Sequence, residues 1–373
     1  MSQYSVLNTK YLNIISFDVP YPANYGGVID IFYKLKALHE KGVKIILHCF
    51  VYADSKPQEE LNKYCERVFY YERNEKLITH FSLNPYIVQS RKNKELLDNL
   101  LSNDYPILFE GLHTCAYLDH PKLRNRKKLV RMHNIEWQYY LSLIPQATSL
   151  KQKAYYLVES YILKQFEPVL SHADHIFSVS DNETNYCSKL AKSSWLPAFH
   201  GNDVVEFNSS SPGEKYVIFH GNLDITDNQL AACLLDEICG ELNVKCIIAG
   251  KNLTSNFELR TSNFIFNPSD EQMQQLIQNS HICFVHSAFA NGVKLKLLYS
   301  LFIGKFVIAN EAGVAGTRLD KLVIKANTKE EIKQAISEYL TKDFTEEEFN
   351  KRKTLLQQYY NNAKNAESIL QAI

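Results

Sequence analysis

The stretch from Ser287 to Asn310 contains the residues best suited to binding an anion. A short apolar strand leads into a polar loop with Asn291 and Gly292, and a helix then begins with Lys294 and Lys296 in its first turn. A helix N-terminus presents free backbone N–H groups, and neighbouring ammonium groups add positive charge. We therefore expect a phosphate or diphosphate site here. Residues two apart point to different sides of a helix, so both lysines can reach one anion only if Lys294 lies in the loop or the capping turn. The alternative is a solvated helix start.

A glycine-containing loop also follows the first predicted strand. Residues 11–19 have the apolar pattern of a buried strand, and Pro-Tyr-Pro-Ala-Asn-Tyr-Gly-Gly separates them from an amphipathic helix. Loops at the carboxyl ends of parallel strands form the ligand sites of doubly wound folds. We expect this loop to approach a ligand, although two glycines can equally serve a tight turn. The candidate residues are Asp18, Asn24, Gly26 and Gly27.

Histidines and carboxylates follow two further predicted strands. His113 comes after Phe-Glu-Gly-Leu, and a denser polar group (His133, Asn134 and Glu136) follows the strand that ends at Met132. His113 is a candidate to orient a hydroxyl group, whereas a lone histidine is often structural. The denser group could line a cleft or simply begin a helix, where Glu136 would favour the helix dipole. The carboxylates best placed to act as a general base are Asp18 and Glu110.

The second half of the chain repeats this arrangement. His220, Gly221 and Asn222 end a predicted strand, and Gly221 would let the loop pass close to a diphosphate. Thr317 follows a glycine and is a candidate either to cap a helix or to hydrogen-bond a phosphate.

Composition restricts the class of protein. The chain has 373 residues, enough for two domains, and its 41 basic and 41 acidic residues give no net charge to attract nucleic acid. The eight cysteines are spaced singly, which is typical of buried thiols and not of a zinc site. No apolar run approaches 18 residues and the first ten are polar, so we expect a cytoplasmic chain, with contact to the inner face of the membrane left open.

Alternating strand and helix patterns indicate parallel sheets covered on both faces. We predict an α/β fold of two doubly wound, Rossmann-like domains, residues 1–204 and 205–355, facing each other across a cleft. The polar stretch 201–214 is the best linker candidate. A last helix begins at the capping box of Thr345 and Glu348 and continues to about Leu370. Its end, residues 356–373, is expected to return to the first domain.

Three patches resemble a known family. They are residues 22–27 (Pro-Ala-Asn-Tyr-Gly-Gly), residues 131–136 (Arg-Met-His-Asn-Ile-Glu) and the spacing of residues 291–304. Together they resemble the GT-B glycosyltransferases, in particular the retaining family four (glycosyl transferases group 1) enzymes of polysaccharide and lipopolysaccharide assembly. The resemblance implies transfer of a sugar from a nucleotide diphosphate sugar to a hydroxyl of a glycan or lipid-linked acceptor, with no cofactor. No Asp-x-Asp motif occurs, so lysine rather than a metal is expected to supply the cations.

The resemblance also implies roles for single residues. His113 and His133 would be catalytic, and the acceptor or cleft residues would be Asp18, Asn24, Asn134 and Glu136. The donor-binding residues would be Gly26, Gly27, Gly221, Asn222, Asn291, Gly292, Lys294, Lys296, Tyr299 and Thr317.

The sequence departs from the family pattern at two signature glutamates. Asn291 and Tyr299 occupy their positions. An asparagine can still hydrogen-bond sugar hydroxyls, but a tyrosine cannot offer a ribose diol a bidentate carboxylate. This substitution keeps a second interpretation open, a non-catalytic relative that binds carbohydrate or acts as a scaffold.

Two further classes of enzyme share the doubly wound plan. An NAD-dependent oxidoreductase is disfavoured because the first loop lacks Gly-x-Gly-x-x-Gly. A sugar-nucleotide epimerase of GT-B shape would differ by needing no acceptor.

An aromatic run from Trp137 to Leu141 has Lys151 and Lys153 nearby in the sequence. Together these residues could form an acceptor-binding or membrane-facing surface. Aromatic residues at such spacing more often pack in a core, so both interpretations stay open.

Overall fold

Both halves of the chain alternate strands with helices, as the sequence predicts. The computed structural model describes residues 10–51, 55–76, 82–202, 204–205, 214–251, 263–290 and 292–373. The chain divides into two units, Met1–Gly201 with Asn361–Ile373, and Asn202–Tyr360. Among the described helices, none has the length and apolar character needed to cross a bilayer.

The first unit contains an all-parallel sheet of seven strands in the order β3-β2-β1-β4-β5-β6-β7. Ile14 in the middle of the sheet pairs with Leu47 on one side and Leu108 on the other. The strands are β1 (Tyr11–Ser16), β2 (Lys44–Val51), β3 (Arg67–Glu72), β4 (Ile107–Glu110), β5 (Lys128–Met132), β6 (His175–Ser178) and β7 (Ser193–Trp195). The helices are α1 (Gly26–Glu40), α2 (Tyr86–Gln89), α3 (Lys94–Leu101), α4 (Glu136–Leu143), α5 (Leu150–Phe166) and α6 (Asp181–Cys187).

The second unit contains an all-parallel sheet of six strands in the order β10-β9-β8-β11-β12-β13. Its strands are β8 (Val217–His220), β9 (Cys246–Gly250), β10 (Asn263–Phe266), β11 (Ile282–Val285), β12 (Phe306–Ala309) and β13 (Ile324–Lys325). Its helices are α7 (Thr226–Leu242), α8 (Asp270–Asn279), α9 (Leu295–Ile303), α10 (Glu311–Val314), α11 (Lys329–Leu340) and α12 (Glu346–Tyr359). The predicted α/β class with two Rossmann-like sheets is therefore confirmed.

The predicted single helix from Thr345 to about Leu370 is wrong. It is interrupted at Tyr360, whose φ of −106° and ψ of 41° are not helical. The side chain of Asn361 then accepts a hydrogen bond from the Lys364 backbone N–H and begins α13 (Asn362–Leu370). Asparagine is a favoured N-cap, so the break follows from the local sequence. Ile369 on α13 is fully buried in the apolar core of the first unit.

Residues 195–199 also have the apolar pattern of a strand in the sequence, and a strand predicted from that pattern is wrong. The strand β7 ends at Trp195, and the backbone groups that follow form hydrogen bonds with buried charged side chains instead of with a neighbouring strand. The Arg131 guanidinium donates to the Leu196 and Pro197 carbonyls, and the Phe199 backbone N–H donates to Asp30 at 2.8 Å. Pro197 has no N–H to offer a neighbouring strand, which favours this arrangement.

Candidate active site

The second unit places its polar loops where the strand order reverses. From β8 the chain passes to β9 on one side of the sheet and later to β11 on the other side of β8. In doubly wound sheets the loops after such a pair of strands border a crevice at the carboxyl ends of the strands. In this unit the loops lead into α7 and α9, so the N-termini of both helices border the crevice.

Lys296 lies in the first turn of α9 and contacts residues of both neighbouring elements. Its Nζ is 2.6 Å from Oδ1 of Asn228 on α7 and 4.7 Å from the centre of the Phe219 ring on β8. Burial lowers the pKa of Lys296 to about 8, with Asp227 opposing this effect and Lys294 adding to it. A poorly solvated cation beside helix N-termini is well placed to bind a phosphate group.

Asp227 connects the N-terminus of α7 to the loop after β11. Its carboxylate accepts hydrogen bonds from the Ser287 hydroxyl and the Ala288 backbone N–H, both at 2.7 Å. Asn310 holds the same loop, because its side chain binds both the N–H and the carbonyl of Ser287. These bonds fix the path of the chain as it approaches α9.

His220 ends β8 and faces α9. Its Nε2 lies 2.9 Å from the hydroxyl oxygen of Ser300, and its ring makes an edge contact with Tyr299 at 5.9 Å between centroids. Burial, assisted by Lys296, lowers the pKa of His220 to about 3, so its imidazole is neutral at physiological pH. Tyr299 packs against the apolar core of the unit, where the family pattern has a glutamate.

The end of β8 is tightly packed, which accounts for two glycines. A Cβ on Gly250 would lie 1.9 Å from the Gly221 carbonyl oxygen, and a Cβ on Gly221 would lie 3.3 Å from the Asn228 amide nitrogen. The carbonyl of Asn222 accepts from Asn228 Nδ2 at 2.7 Å, and its side chain accepts from the Asp224 backbone N–H. The predicted residues Gly221 and Asn222 therefore determine the shape of the loop before α7, and this loop positions Asn228 next to Lys296.

The remaining predicted donor residues of this unit differ in their placement. Gly292 has a φ of +61°, a conformation that favours glycine, and Lys294 is the N-cap of α9. Asn291 lies outside the described residues. Thr317 is fully buried, and its hydroxyl donates to the Val314 carbonyl and accepts from the Leu319 backbone N–H. A structural role accounts for Thr317 better than phosphate binding does.

The first unit has a corresponding reversal of strand order between β1 and β4. Phe17, which follows β1, has its ring 5.3 Å from that of His113 and 5.8 Å from that of His133. Nδ1 of His113 is buried and has no hydrogen-bond partner among the described residues, and it lies 3.9 Å from Oε1 of Glu136. The two predicted histidines and Glu136 therefore belong to one cluster.

Burial controls the protonation of this cluster. It lowers the pKa of His113 well below the ordinary value, with Arg91 and His133 adding to the effect. It raises the pKa of Glu136 to about 8, although Arg91 opposes the shift. At neutral pH the cluster thus contains an uncharged imidazole beside a carboxyl group that is largely protonated and can donate a hydrogen bond.

A buried ionic network lies next to these histidines. Lys34 on α1 contacts Glu110 at 2.6 Å and Asp30 at 2.9 Å, while Arg131 forms two hydrogen bonds to Asp30. His133 Nε2 lies 3.2 Å from Glu110. Burial acts to raise the pKa of Asp30, but Arg131 and Lys34 outweigh it and hold the pKa well below the ordinary value. Lys34 and His133 likewise lower the pKa of Glu110 against the effect of burial.

Asp30, Glu110 and His133 come close enough together to ligate a metal ion. Their charges, however, are already balanced, because Lys34 bridges the two carboxylates and Arg131 pairs with Asp30. A divalent cation would have to displace a buried ammonium group. The donor set therefore fits an internal salt-bridge network better than a metal site.

The other predicted residues of the first unit surround its first loop. Asp18 accepts from the Tyr25 hydroxyl at 2.6 Å and from the Val19 backbone N–H at 2.7 Å. Gly27 allows close packing, since a Cβ there would lie 2.5 Å from Phe17. Gly26 begins α1, Asn24 is exposed in the preceding loop, and Asn134 is partly buried between β5 and α4.

Four residues that hold the predicted ones in place were not predicted from the sequence. In the second unit these are Asp227 and Asn228, in the first turn of α7. The segment that contains them was expected to reach the site, but no sequence motif marks these two residues. In the first unit they are Asp30 and Lys34, whose i, i+4 spacing on α1 is that of an ordinary surface salt bridge. The apolar neighbours of Asp30 and Lys34 were the available signal that this face of α1 is buried.

Comparisons of the sequence find a family model and a relative that match this chain. Residues 214–342 match the family model Glycosyl transferases group 1. The chain is 28% identical over 331 residues to an uncharacterized 44.6 kDa protein in the cps region of Klebsiella pneumoniae, covering 82% of this chain and 84% of that protein.

Similar solved structures cover nearly the whole chain. One is described as trehalose-6-phosphate from E. coli bound with UDP-2-fluoro glucose; its TM-score is 0.66 at 10% identity, covering 97% of this chain and 98% of that one. Another is the N-terminal domain of Candida albicans trehalose-6-phosphate phosphatase, with a TM-score of 0.65 at 13% identity, covering 98% and 97%. The GT-B fold and the resemblance to group 1 glycosyltransferases are thereby confirmed.

Proposed function

We propose that this chain, which has the GT-B fold, is a cytoplasmic glycosyltransferase that uses a nucleotide diphosphate sugar as donor. The acceptor is a hydroxyl group of a glycan or lipid-linked saccharide in cell-surface polysaccharide synthesis. The family match over residues 214–342 and the cps-region relative support this activity. The observation that carries the proposal is Lys296, a poorly solvated cation at the N-terminus of α9, held in the crevice by Asn228 and Phe219.

The second unit supplies the donor chemistry in this proposal. As the bond to the sugar breaks, negative charge develops on the departing nucleotide diphosphate. The backbone N–H groups at the start of α9 and the ammonium groups of Lys296 and Lys294 stabilise that charge. Because these groups are already positioned by Asn228, Asp227 and the Ser287 loop, little reorganisation is needed during transfer.

The first unit supplies the groups that orient the acceptor and the transferred sugar. His113 and His133 contribute imidazoles, and Glu136 contributes a carboxyl group whose high pKa lets it donate to a sugar oxygen. A retaining outcome is supported by the state of the candidate bases. Lys34 and His133 lower the pKa of Glu110 and make it a weak base, and Asp18 already accepts hydrogen bonds from Tyr25 and Val19.

Transfer is proposed to require neither a cofactor nor a metal ion. The lysines supply the positive charge that a divalent cation supplies in other enzymes, and the carboxylates next to His133 are neutralised by Lys34 and Arg131. Activity should therefore persist in excess EDTA.

The decisive test is thermal unfolding of the chain with UDP, GDP, CMP and their sugar conjugates, with NAD as the control ligand. A ligand at 100 times its Kd adds about 2.7 kcal/mol to the folded state and shifts the midpoint by a few degrees. We expect one nucleotide to produce this shift and Lys296→Ala to abolish it. Lys329→Ala, at an exposed surface salt bridge of the same unit, is the matched control and should keep the shift.

The second candidate is a non-catalytic relative. Tyr299 stands where the family pattern has a ribose-binding carboxylate, and its packing against the core and against His220 favours this candidate. Combining Lys294→Ala with Lys296→Ala separates the two functions. Sugar transfer should collapse in an enzyme, whereas a scaffold should keep its interactions. If no nucleotide shifts the midpoint, the non-catalytic function replaces the enzymatic one.

A further inference from the structure

Helix α5 in the first unit has an apolar stripe on its solvent side. Its inner side is anchored by Leu163, which is fully buried, and by Glu159, which accepts a hydrogen bond from the Tyr86 backbone N–H at 3.1 Å. On the outer side four large apolar residues are exposed: Leu150 at 84%, Leu157 at 57%, Val158 at 56% and Tyr161 at 66%.

These exposed residues share one face of the helix. At about 100° of rotation per residue, Leu150, Leu157, Val158 and Tyr161 fall within an arc of roughly 100°, and Ala154 lies inside it. The two exposed hydrophobic residues of α4, Tyr139 and Leu141, lie on the helix that precedes α5. Isolated exposed hydrophobic residues are common on protein surfaces, but a continuous stripe along a 17-residue helix is not.

Lysines border the stripe on both sides. By the same rotation Lys151 falls on one edge and Lys153 and Lys164 on the other, and all three are exposed. Lys164 lies with its Nζ 4.6 Å from the centre of the Trp137 ring. The acidic residue of α5, Glu159, is on the buried side. The outer face of α5 therefore combines apolar side chains with positive charge and carries no carboxylate.

We propose that this face of α5 binds an anionic lipid surface, with the helix lying in the plane of the interface. Leu157 and Tyr161 enter the boundary between headgroups and acyl chains, and the lysines contact the phosphates. A second copy of this chain is a poor occupant, because pairing two such faces would bring lysines together. In one respect this proposal rests on the proposed function, because it places the lipid-linked acceptor at the membrane to which α5 binds. Membrane binding itself does not depend on the donor site.

Vesicle flotation of the full chain tests the proposal. The probes are vesicles of phosphatidylcholine alone and vesicles in which roughly one third is phosphatidylglycerol. We expect binding to the anionic vesicles, weakened on the order of 100-fold by the triple change Lys151→Gln, Lys153→Gln and Lys164→Gln, since each lysine near an anionic surface contributes on the order of fivefold. The combination Leu157→Ser and Tyr161→Ser should weaken it by about 10-fold or more.

Matched variants control for overall charge and hydrophobicity. The triple change Lys122→Gln, Lys189→Gln and Lys192→Gln removes the same charge from other exposed positions of the first unit, and Leu230→Ser removes an exposed leucine from α7. Both should float like the unchanged chain. The proposal is overturned if the chain fails to bind anionic vesicles, if the controls lose as much binding as the α5 variants, or if light scattering shows that the α5 residues hold two copies together.

Nucleotide-induced thermal shifts measured on the same α5 variants distinguish this proposal from the donor proposal. Because α5 is remote in sequence from Lys296 and lies in the other unit, the variants should unfold normally and keep the shift. A chain that floats but binds no nucleotide refutes the donor function alone.

Discussion

At the scale of single residues, the two units use burial in opposite ways. In the second unit burial lowers the pKa of Lys296, so an anion bound beside this side chain would stabilise its charged form. In the first unit the buried charges of Asp30, Lys34 and Arg131 already satisfy one another. The first arrangement is suited to binding a ligand and the second to holding side chains in place.

The pKa of Lys296 predicts how nucleotide affinity changes with pH. The protonated amine binds phosphate, and a bound anion raises the pKa of the amine above its free value of about 8. Affinity should therefore change little between about pH 7.5 and 8 and fall by up to about tenfold per pH unit above that range. Isothermal titration calorimetry from about pH 7.5 to 9.5 measures this, above the range in which the terminal phosphate of a nucleotide titrates.

Lys296→Arg is the control for this pH dependence, because arginine keeps its charge throughout the range. Its affinity for nucleotide should not fall between about pH 8 and 9.5. A wild-type affinity that is equally flat would show that Lys296 does not contact the phosphate.

The salt-bridge network predicts a stability effect in the first unit. Lys34→Met leaves the Glu110 carboxylate buried without its closest cation, which should cost about 3–5 kcal/mol. Adding Glu110→Gln removes the uncompensated charge and should restore part of the loss. Guanidinium unfolding measures both variants. Equal stabilities for Lys34→Met and the unchanged chain would contradict the role given to this network.

At the scale of secondary-structure elements, the hydrophobic periodicity of the elements and the N-terminal caps of helices could be predicted from the sequence. The capping boxes that begin at Ser269, Thr328 and Thr345 are all present, because such signals depend on residues three apart. The break at Tyr360 follows a local cap at Asn361, whereas the error at residues 196–199 arose where distant side chains bind backbone groups. Residues 196–199 look like a strand, yet Arg131 and Asp30 bind their carbonyls and N–H groups. No local pattern contains that contact.

The same distinction explains how much of the candidate site was predictable. Lys296, Gly221 and His220 were predicted because each stands at the end of a strand or the start of a helix. Asp227 and Asn228 were not predicted, since their importance comes from contacts to residues about 60 positions away in the chain. The loops that form the crevice were therefore predictable, whereas the bonds that set their shape were not.

At the scale of the whole molecule, the chain passes from the first unit to the second and returns through α13. Three kinds of contact hold α13 in the first unit: burial of Ile369 in the core, a salt bridge between Glu367 and Lys41, and hydrogen bonds between Asn362 and His200. The terminal helix is therefore part of the fold of the first unit, although the entire second unit separates it from that unit in sequence.

This connectivity predicts that a change in α13 acts on the first unit. Ile369→Ala removes a fully buried side chain and should destabilise that unit by about 2–5 kcal/mol. Hydrogen exchange should accelerate in α1 and β2, whose residues share the core with Ile369, and stay unchanged in α7 and α9. Ser368→Ala, at an exposed position of the same helix, is the control and should change neither. Faster exchange in α9 would contradict the assignment of α13 to the first unit alone, because Lys296 and its neighbours would then depend on that helix.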